Sequence, residues 1–169
     1  MRCLVHILII SLFLALNCKN PFAPALDTSA ESSSSILGDQ TTVGGVFQNF
    51  KYAYTFKDTT IYNRLLDNNF TFIYRDYETA RDVAWGRDED IRITYRLFQN
   101  AQNLDLIWNN IVAQSGDSLK TNVIRSFNLT ITFNPGDIIR LDGKVDLTIE
   151  RPTFKDNWLI TRWRDESNY

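Results

Sequence analysis

The stretch VIRSFNLTITF (Val123–Phe133), followed by NPGD (134–137) and IIRLDGKVDLTI (Ile138–Ile149), decides the fold. In its first part Val123, Arg125, Phe127, Leu129, Ile131 and Phe133 share one face. Ile124, Ser126, Asn128, Thr130 and Thr132 share the other, the period of a half-buried strand. Asn134-Pro135-Gly136-Asp137 is the strongest turn signal in the chain. Beyond it Ile139, Leu141, Val145, Leu147 and Ile149 face in, while Arg140, Asp142, Lys144, Asp146 and Glu150 face out. Two long strands across a tight turn make an antiparallel hairpin. Asp142-Gly143 in mid-strand predicts a bulge or bend.

Working outward, Leu104, Leu106 and Trp108 alternate with Asp105, Ile107 and Asn109 toward Val112, and Gly116-Asp117 marks the next turn. Trp158 to Asp165 reads as the last strand, with the alternating charges of Arg162 to Glu166 closing the sheet edge by ion pairs. Upstream, Val46, Phe50, Ala53 and Lys57 form one stripe of a helix over Val43–Lys57, with Thr41 or Thr42 as cap. Asp58 caps a short helix over Thr60–Leu66, and Phe70–Tyr74 alternates as a strand. The segment Ala80–Gly86 reads as a loop. A third helix follows over Arg87–Asn100, with Asp88, Glu89 and Asp90 at its positive end as part of a solvated face and Ile91, Tyr95 and Phe98 inward. Helices first and then a strand meander give an α+β class: N-terminal helices packed on a strongly curved, mainly antiparallel sheet, a cone-shaped roll.

Several packing residues carry a resemblance over about residues 43–166. They are Phe47-x-x-Phe50-x-x-Ala53-Tyr54, Leu65-Leu66 before Phe70-Thr71-Phe72, Trp85 ahead of the third helix, and Trp158-Leu159-Ile160-x-x-Trp163. The chain resembles the nuclear-transport-factor-2-like superfamily, the cystatin-like cone, which includes SnoaL-like cyclases, ketosteroid isomerases and scytalone dehydratase. The resemblance implies a conical pocket at the open end of the curved sheet. It also implies isomerisation, dehydration or cyclisation by an Asp or Glu base aided by Tyr or His.

The first residues set the address. Met1-Arg2 is a short positive start and Leu4–Leu16 is almost wholly apolar, too short to span a bilayer and suited to a signal peptide. Leu14-Ala15-Leu16-Asn17-Cys18 resembles a bacterial lipobox, although Asn17 stands where Gly, Ala or Ser is usual. The resemblance implies that the Cys18 thiol carries diacylglycerol and its amino group an acyl chain such as palmitate, together enough for stable anchoring. The expected organisation is a signal over 1–17, lipidated Cys18 with a flexible tether over 18–41, and one domain over 42–169. The tether is rich in Pro, Ala, Ser, Asp and Thr, and would span roughly 25–30 Å as a random coil. Lys19 is not an acidic retention signal, so the expected location is the cell envelope at the outer membrane.

Cleavage before Cys18 leaves 152 residues without the only histidine, His6, and without Cys3. Seventeen basic side chains then face twenty acidic ones. This composition excludes a Ser-His-Asp triad, a Cys nucleophile, a His or thiolate zinc site and a disulfide in the mature chain. No basic excess points to nucleic acid, and no motif calls for a cofactor or metal.

Arg125 on an apolar strand face needs a carboxylate, a ligand anion or water at the strand end. Together with Tyr74, Trp85, Trp108, Phe127 and Trp163 it makes a candidate ligand pocket, and Trp158 belongs to the same aromatic set. Asp76 and Asp82 are the carboxylates left for catalysis, because none stands on a clearly inward strand face. Three readings remain open: a non-catalytic cone binding a small amphipathic molecule or a protein; a SnoaL-like isomerase or dehydratase without His or metal; and a scaffold that dimerises through the sheet. An enzyme requires an inward Asp or Glu beside Tyr or Arg in an open pocket. A scaffold requires a cone filled by Trp108, Trp163 and Phe127.

Overall fold

Thr42 opens helix α1 (Val43–Phe56) by accepting a hydrogen bond from the Gly45 N–H at 3.0 Å, and Lys57 closes it in the left-handed region at φ 56°. The computed structural model describes residues 36–168. Cys18, the signal and most of the tether lie outside these residues. The stretch read as tether ends bound to the domain. Asn49 and Gly38 exchange two hydrogen bonds, and the Gln40 side chain donates to the Trp158 carbonyl at 2.9 Å. Asp58 caps helix α2 (Thr59–Leu65) through the Thr60 and Ile61 N–H groups, as its spacing predicts.

Strands β1 (Leu66–Asp76), β2 (Arg81–Gly86), β3 (Asn103–Gly116), β4 (Lys120–Asn134), β5 (Asp137–Glu150) and β6 (Leu159–Asn168) form one curled sheet in the order β2-β1-β6-β5-β4-β3. All neighbours are antiparallel except β1 and β6. Helix α3 (Arg87–Asn100) connects β2 to β3. The three helices and the mainly antiparallel curled sheet are the α+β arrangement read from the sequence. The core lies where α1 and α2 meet the sheet, with Phe47, Phe50 and Tyr62 against Leu147, Ile149 and Ile160, all buried.

Several local expectations are corrected. Ala80–Gly86 is not a loop: residues 81–86 form β2, paired with β1 from Thr71↔Gly86 to Asp76↔Arg81. Its alternation is short and starts with two charges, but Val83 and Trp85 turn inward, Ala80 supplies the positive-φ turn, and Arg75 pairs with Asp82 at 3.1 Å. The last strand is not an edge. β6 lies between β1 and β5, although the ion pairs expected there do form, Arg162 with Asp146 and Arg164 with Asp82. On α3 the buried stripe is Asp90, Thr94 and Phe98, while Tyr95 is 50% exposed. A helical face accepts a polar residue once another element satisfies it, so choosing only apolar residues put the stripe one step off.

At Asp142-Gly143 the structure has no bulge, since the β4–β5 register runs unbroken through Phe127↔Gly143. The glycine answers a different need: a Cβ there would stand 2.4 Å from Ser167 Cα on β6. Ile139, read as inward, is exposed near the hairpin tip, while Val145, Leu147 and Ile149 are buried as their parity predicts.

Candidate functional site

The concave side of the sheet does not close on the helices. A cavity of about 250 Å³ remains between them, with walls from α1, α3 and all six strands. Strand parity and helical spacing bring the aromatic residues here. Phe50 and Tyr54 sit one turn apart on α1, and Phe72 and Tyr74 sit two apart on β1. Phe72 stacks on Trp85 at 4.4 Å, and Trp163 meets both Phe50 and Phe72 edge-on at 5.2 and 5.0 Å. The Trp108 indole donates to the Phe47 carbonyl at 2.9 Å, which fixes its ring against α1. Trp163 Nε1 is buried with no hydrogen-bond partner.

Of the residues singled out from the sequence, Tyr74, Trp85, Trp108, Phe127 and Trp163 line this cavity. Arg125 does not. Its guanidinium lies 4.8 Å over the Phe47 ring and donates through Nε to the Asn109 carbonyl at 2.9 Å. Trp158 is packed in the core beneath Arg151, at 4.2 Å. Asp76 caps an exposed turn, and Asp82 is held below the usual carboxylate range by hydrogen bonds from Arg164 and Arg75.

The polar groups of the cavity are others. Asp90, 3% exposed, accepts from the Tyr62 hydroxyl at 2.6 Å on Oδ2 and from Trp85 Nε1 at 3.0 Å on Oδ1. Burial raises its carboxyl above the ordinary range, and the two hydrogen bonds oppose that rise. Burial also pushes the Tyr54 and Tyr62 phenols far up, so both stay neutral donors, with the Thr94 hydroxyl acting in the opposite direction on each. On β6 the Ser167 amide and hydroxyl both donate to Asp165, at 3.1 and 3.0 Å, and both residues line the cavity. Two signals were available for these residues. Asp165 and Ser167 share the strand parity of Trp163, and Asp90 and Thr94 lie two turns and one turn ahead of Phe98.

Asp90 yields a prediction. Tyr62→Phe removes a buried charge-assisted hydrogen bond and is expected to cost about 1.5–3 kcal/mol by urea denaturation. Because the folded carboxyl titrates above its unfolded value, its contribution is present below the unfolded value and lost as pH rises through the folded one. Removing a bond that lowers the folded value moves that loss to higher pH. The deficit of Tyr62→Phe should therefore be larger at neutral than at acid pH, and an equal deficit at both would place the ionised form elsewhere.

Among the described residues no cluster of His, Cys, Asp and Glu suits a metal, and no helix is long and apolar enough to cross a membrane. No family model and no curated protein matches the chain. Solved structures do. A conserved protein from Planctomyces limnophilus superposes with a TM-score of 0.63 at 13% identity, over 73% of this chain and 91% of its own. A candidate scytalone dehydratase from Novosphingobium aromaticivorans gives 0.63 at 12%, over 73% and 80%. A candidate dehydratase of the NTF2-like family from Streptomyces avermitilis gives 0.59 at 13%, over 72% and 90%. The fold is the NTF2-like cone. At this identity the likeness extends to the fold alone.

Proposed function

We propose that this chain is an envelope lipoprotein, anchored through acylated Cys18, whose cone binds a small amphipathic molecule. The observation that carries the binding reading is the cavity: aromatic and aliphatic walls with polar groups confined to a few points, the usual composition of a small-molecule site. Trp108, Trp163 and Phe127 line this space instead of filling it, which favours a pocket over a pure scaffold. Binding is tested with N-phenyl-1-naphthylamine, a neutral apolar fluorophore. Saturable enhancement that Leu141→Trp abolishes supports the cavity as the site, and enhancement unchanged by that substitution overturns it. The anchor is tested by fractionation. The wild-type chain should sediment with membranes and Cys18→Ala should not; a soluble wild type or an unchanged variant would sink it.

One observation favours a second reading, an isomerase or dehydratase. Asp90 beside Tyr62 is an inward carboxylate paired with a phenol, and two of the superposed proteins are named as dehydratases. Ionised Asp90 would take a proton from one carbon of the bound molecule and return it to another. Deuterium entering a carbon position of the ligand in heavy water, and failing to do so with Asp90→Asn, would favour this reading over simple binding.

A further inference from the structure

We infer that the outer face of helix α1 rests on an anionic lipid surface and so orients the cone at the membrane. The inference rests on the Cys18 anchor reading and names a second contact made by the anchored domain. Gly44, Gln48, Lys51, Tyr52, Thr55 and Phe56 recur three or four residues apart on one stripe of α1, and none of them is buried. At the C-terminal end of the stripe Phe56 is 62% exposed, and its ring packs on the half-buried Tyr52 at 4.6 Å. Toward the other end Ile36 is 70% exposed, and its carbonyl accepts from the Gln48 side chain at 3.2 Å. Exposed apolar groups therefore run along this face from Ile36 to Phe56, with Lys51 among them.

The face also differs in charge from the rest of the chain. The whole chain has a formal net charge of -2, yet no Asp or Glu occurs from Gln40 to Lys57, where Lys51 and Lys57 do. Among the described residues no ion pair includes Lys51, and Lys57 is held by the Ala101 carbonyl at 3.0 Å. The nearest carboxylates in sequence lie beyond the two ends of the helix, where Asp39 accepts from Thr41 and Asp58 caps α2. Asp105 on β3 alternates with the buried Leu104 and Leu106 and faces the other side of the sheet. Rings and aliphatic groups interspersed with lysines suit the headgroup region, where apolar groups enter the acyl boundary and ammonium groups meet phosphates. Each lysine near an anionic leaflet is drawn toward it. A second copy fits less well, because an isologous contact would press two cationic faces together. The chain itself brings the face to lipid. Ile36 follows Cys18 by eighteen residues, a reach of at most about 60 Å when fully extended. A weak surface contact held at that range by an anchor becomes an intramolecular one, with a correspondingly high effective concentration.

The test uses the acylated chain reconstituted in vesicles of phosphatidylcholine containing about one quarter phosphatidylglycerol. Thr55→Cys, and Glu78→Cys on the β1–β2 hairpin as a control, each give the mature chain one free thiol for a nitrobenzoxadiazole label. The label at residue 55 should shift to the blue, and headgroup spin-labelled lipid should quench it at least threefold more than the label at residue 78. In phosphatidylcholine alone the anchor should still hold the chain, and the difference between the two positions should fall at least twofold. Lys51→Glu and Phe56→Ser, both at exposed positions, should each reduce quenching at residue 55 at least twofold and leave co-sedimentation with vesicles unchanged. Equal quenching at both positions on vesicles that carry the chain would overturn the inference and leave the anchor standing. Shielding of residue 55 that persists undiminished in phosphatidylcholine alone, or without vesicles, would assign the face to another partner and overturn it too. A wild-type chain that stays soluble would remove the anchor reading, and the inference with it.

Discussion

Phe50→Ala is expected to cost about 3–5 kcal/mol, the usual range for deleting a fully buried phenylalanine ring. The ring is 2% exposed and meets four others: Tyr54 stacked at 4.9 Å, and Tyr62, Trp108 and Trp163 edge-on at 5.7, 5.5 and 5.2 Å. Each such contact adds to the plain burial of area. Those neighbours come from α1, α2, β3 and β6, so the void left by the ring cannot be closed by moving one element. Small domains are held by about 5–15 kcal/mol in all, so the variant should lose on the order of 10–20 °C in Tm. Phe50→Leu keeps most of the volume and should lose less than half as much. Urea denaturation of both variants is the measurement. A loss below about 1 kcal/mol for Phe50→Ala would mean that the ring cluster is not a packed core.

Gly143→Ala is expected to destabilise by about 2–3 kcal/mol, at the upper part of the range for overpacking. A Cβ at this position would stand 2.4 Å from Ser167 Cα and 2.8 Å from the Glu166 carbonyl oxygen. Both are backbone atoms of the paired strand, so no side-chain rotation relieves the clash, and β5 and β6 must separate locally. Gly143 is opposite Ser167 in the register, and Ser167 holds Asp165 in the cavity. The variant should therefore also weaken ligand binding. Gly44→Ala is the contrasting substitution: nothing lies within 4 Å of its added Cβ on the exposed side of α1. It should stabilise by roughly 0.5–1 kcal/mol through helix propensity. If both glycines tolerated alanine equally well, the close approach of β5 and β6 would be refuted.

The local elements were legible because their signals are local. Thr42 and Asp58 cap their helices, the Asn134–Asp137 turn joins β4 to β5, and parity separates the faces of Val123–Phe133. The errors share one cause. The local signal of β2 is that of a loop, because an edge strand with two leading charges has little alternation of its own, and its hydrogen bonds come from β1. The central place of β6 is not legible in its own residues, because pairing order is a long-range property, and the parallel β1–β6 contact joins residues about ninety positions apart.

For the site, the aromatic residues could be assigned a face and then proved to meet. The carboxylates carry the same kind of signal in a weaker form, Asp165 through the parity of Trp163 and Asp90 through its helical spacing to Phe98. Asp90 sits in a run with Asp88 and Glu89, neither of them buried, and only its spacing to Thr94 and Phe98 sets it apart. What selects it is the arrival of Tyr62 from α2 and Trp85 from β2, which supply the hydrogen bonds that make burial of that carboxylate tolerable.

By itself, then, the sequence determined the α+β class, the helix ends, the strand parities, the absence of histidine from the chain after position 6, and the apolar run that precedes Cys18. The tertiary structure decided which strands are edges, that the cone keeps a cavity, that Arg125 lies outside it and that Asp90 and Asp165 lie within. The division follows from range. Caps, turns and periodicity are settled within a few residues, whereas burial of a charge depends on donors brought from distant segments, which only the assembled fold provides.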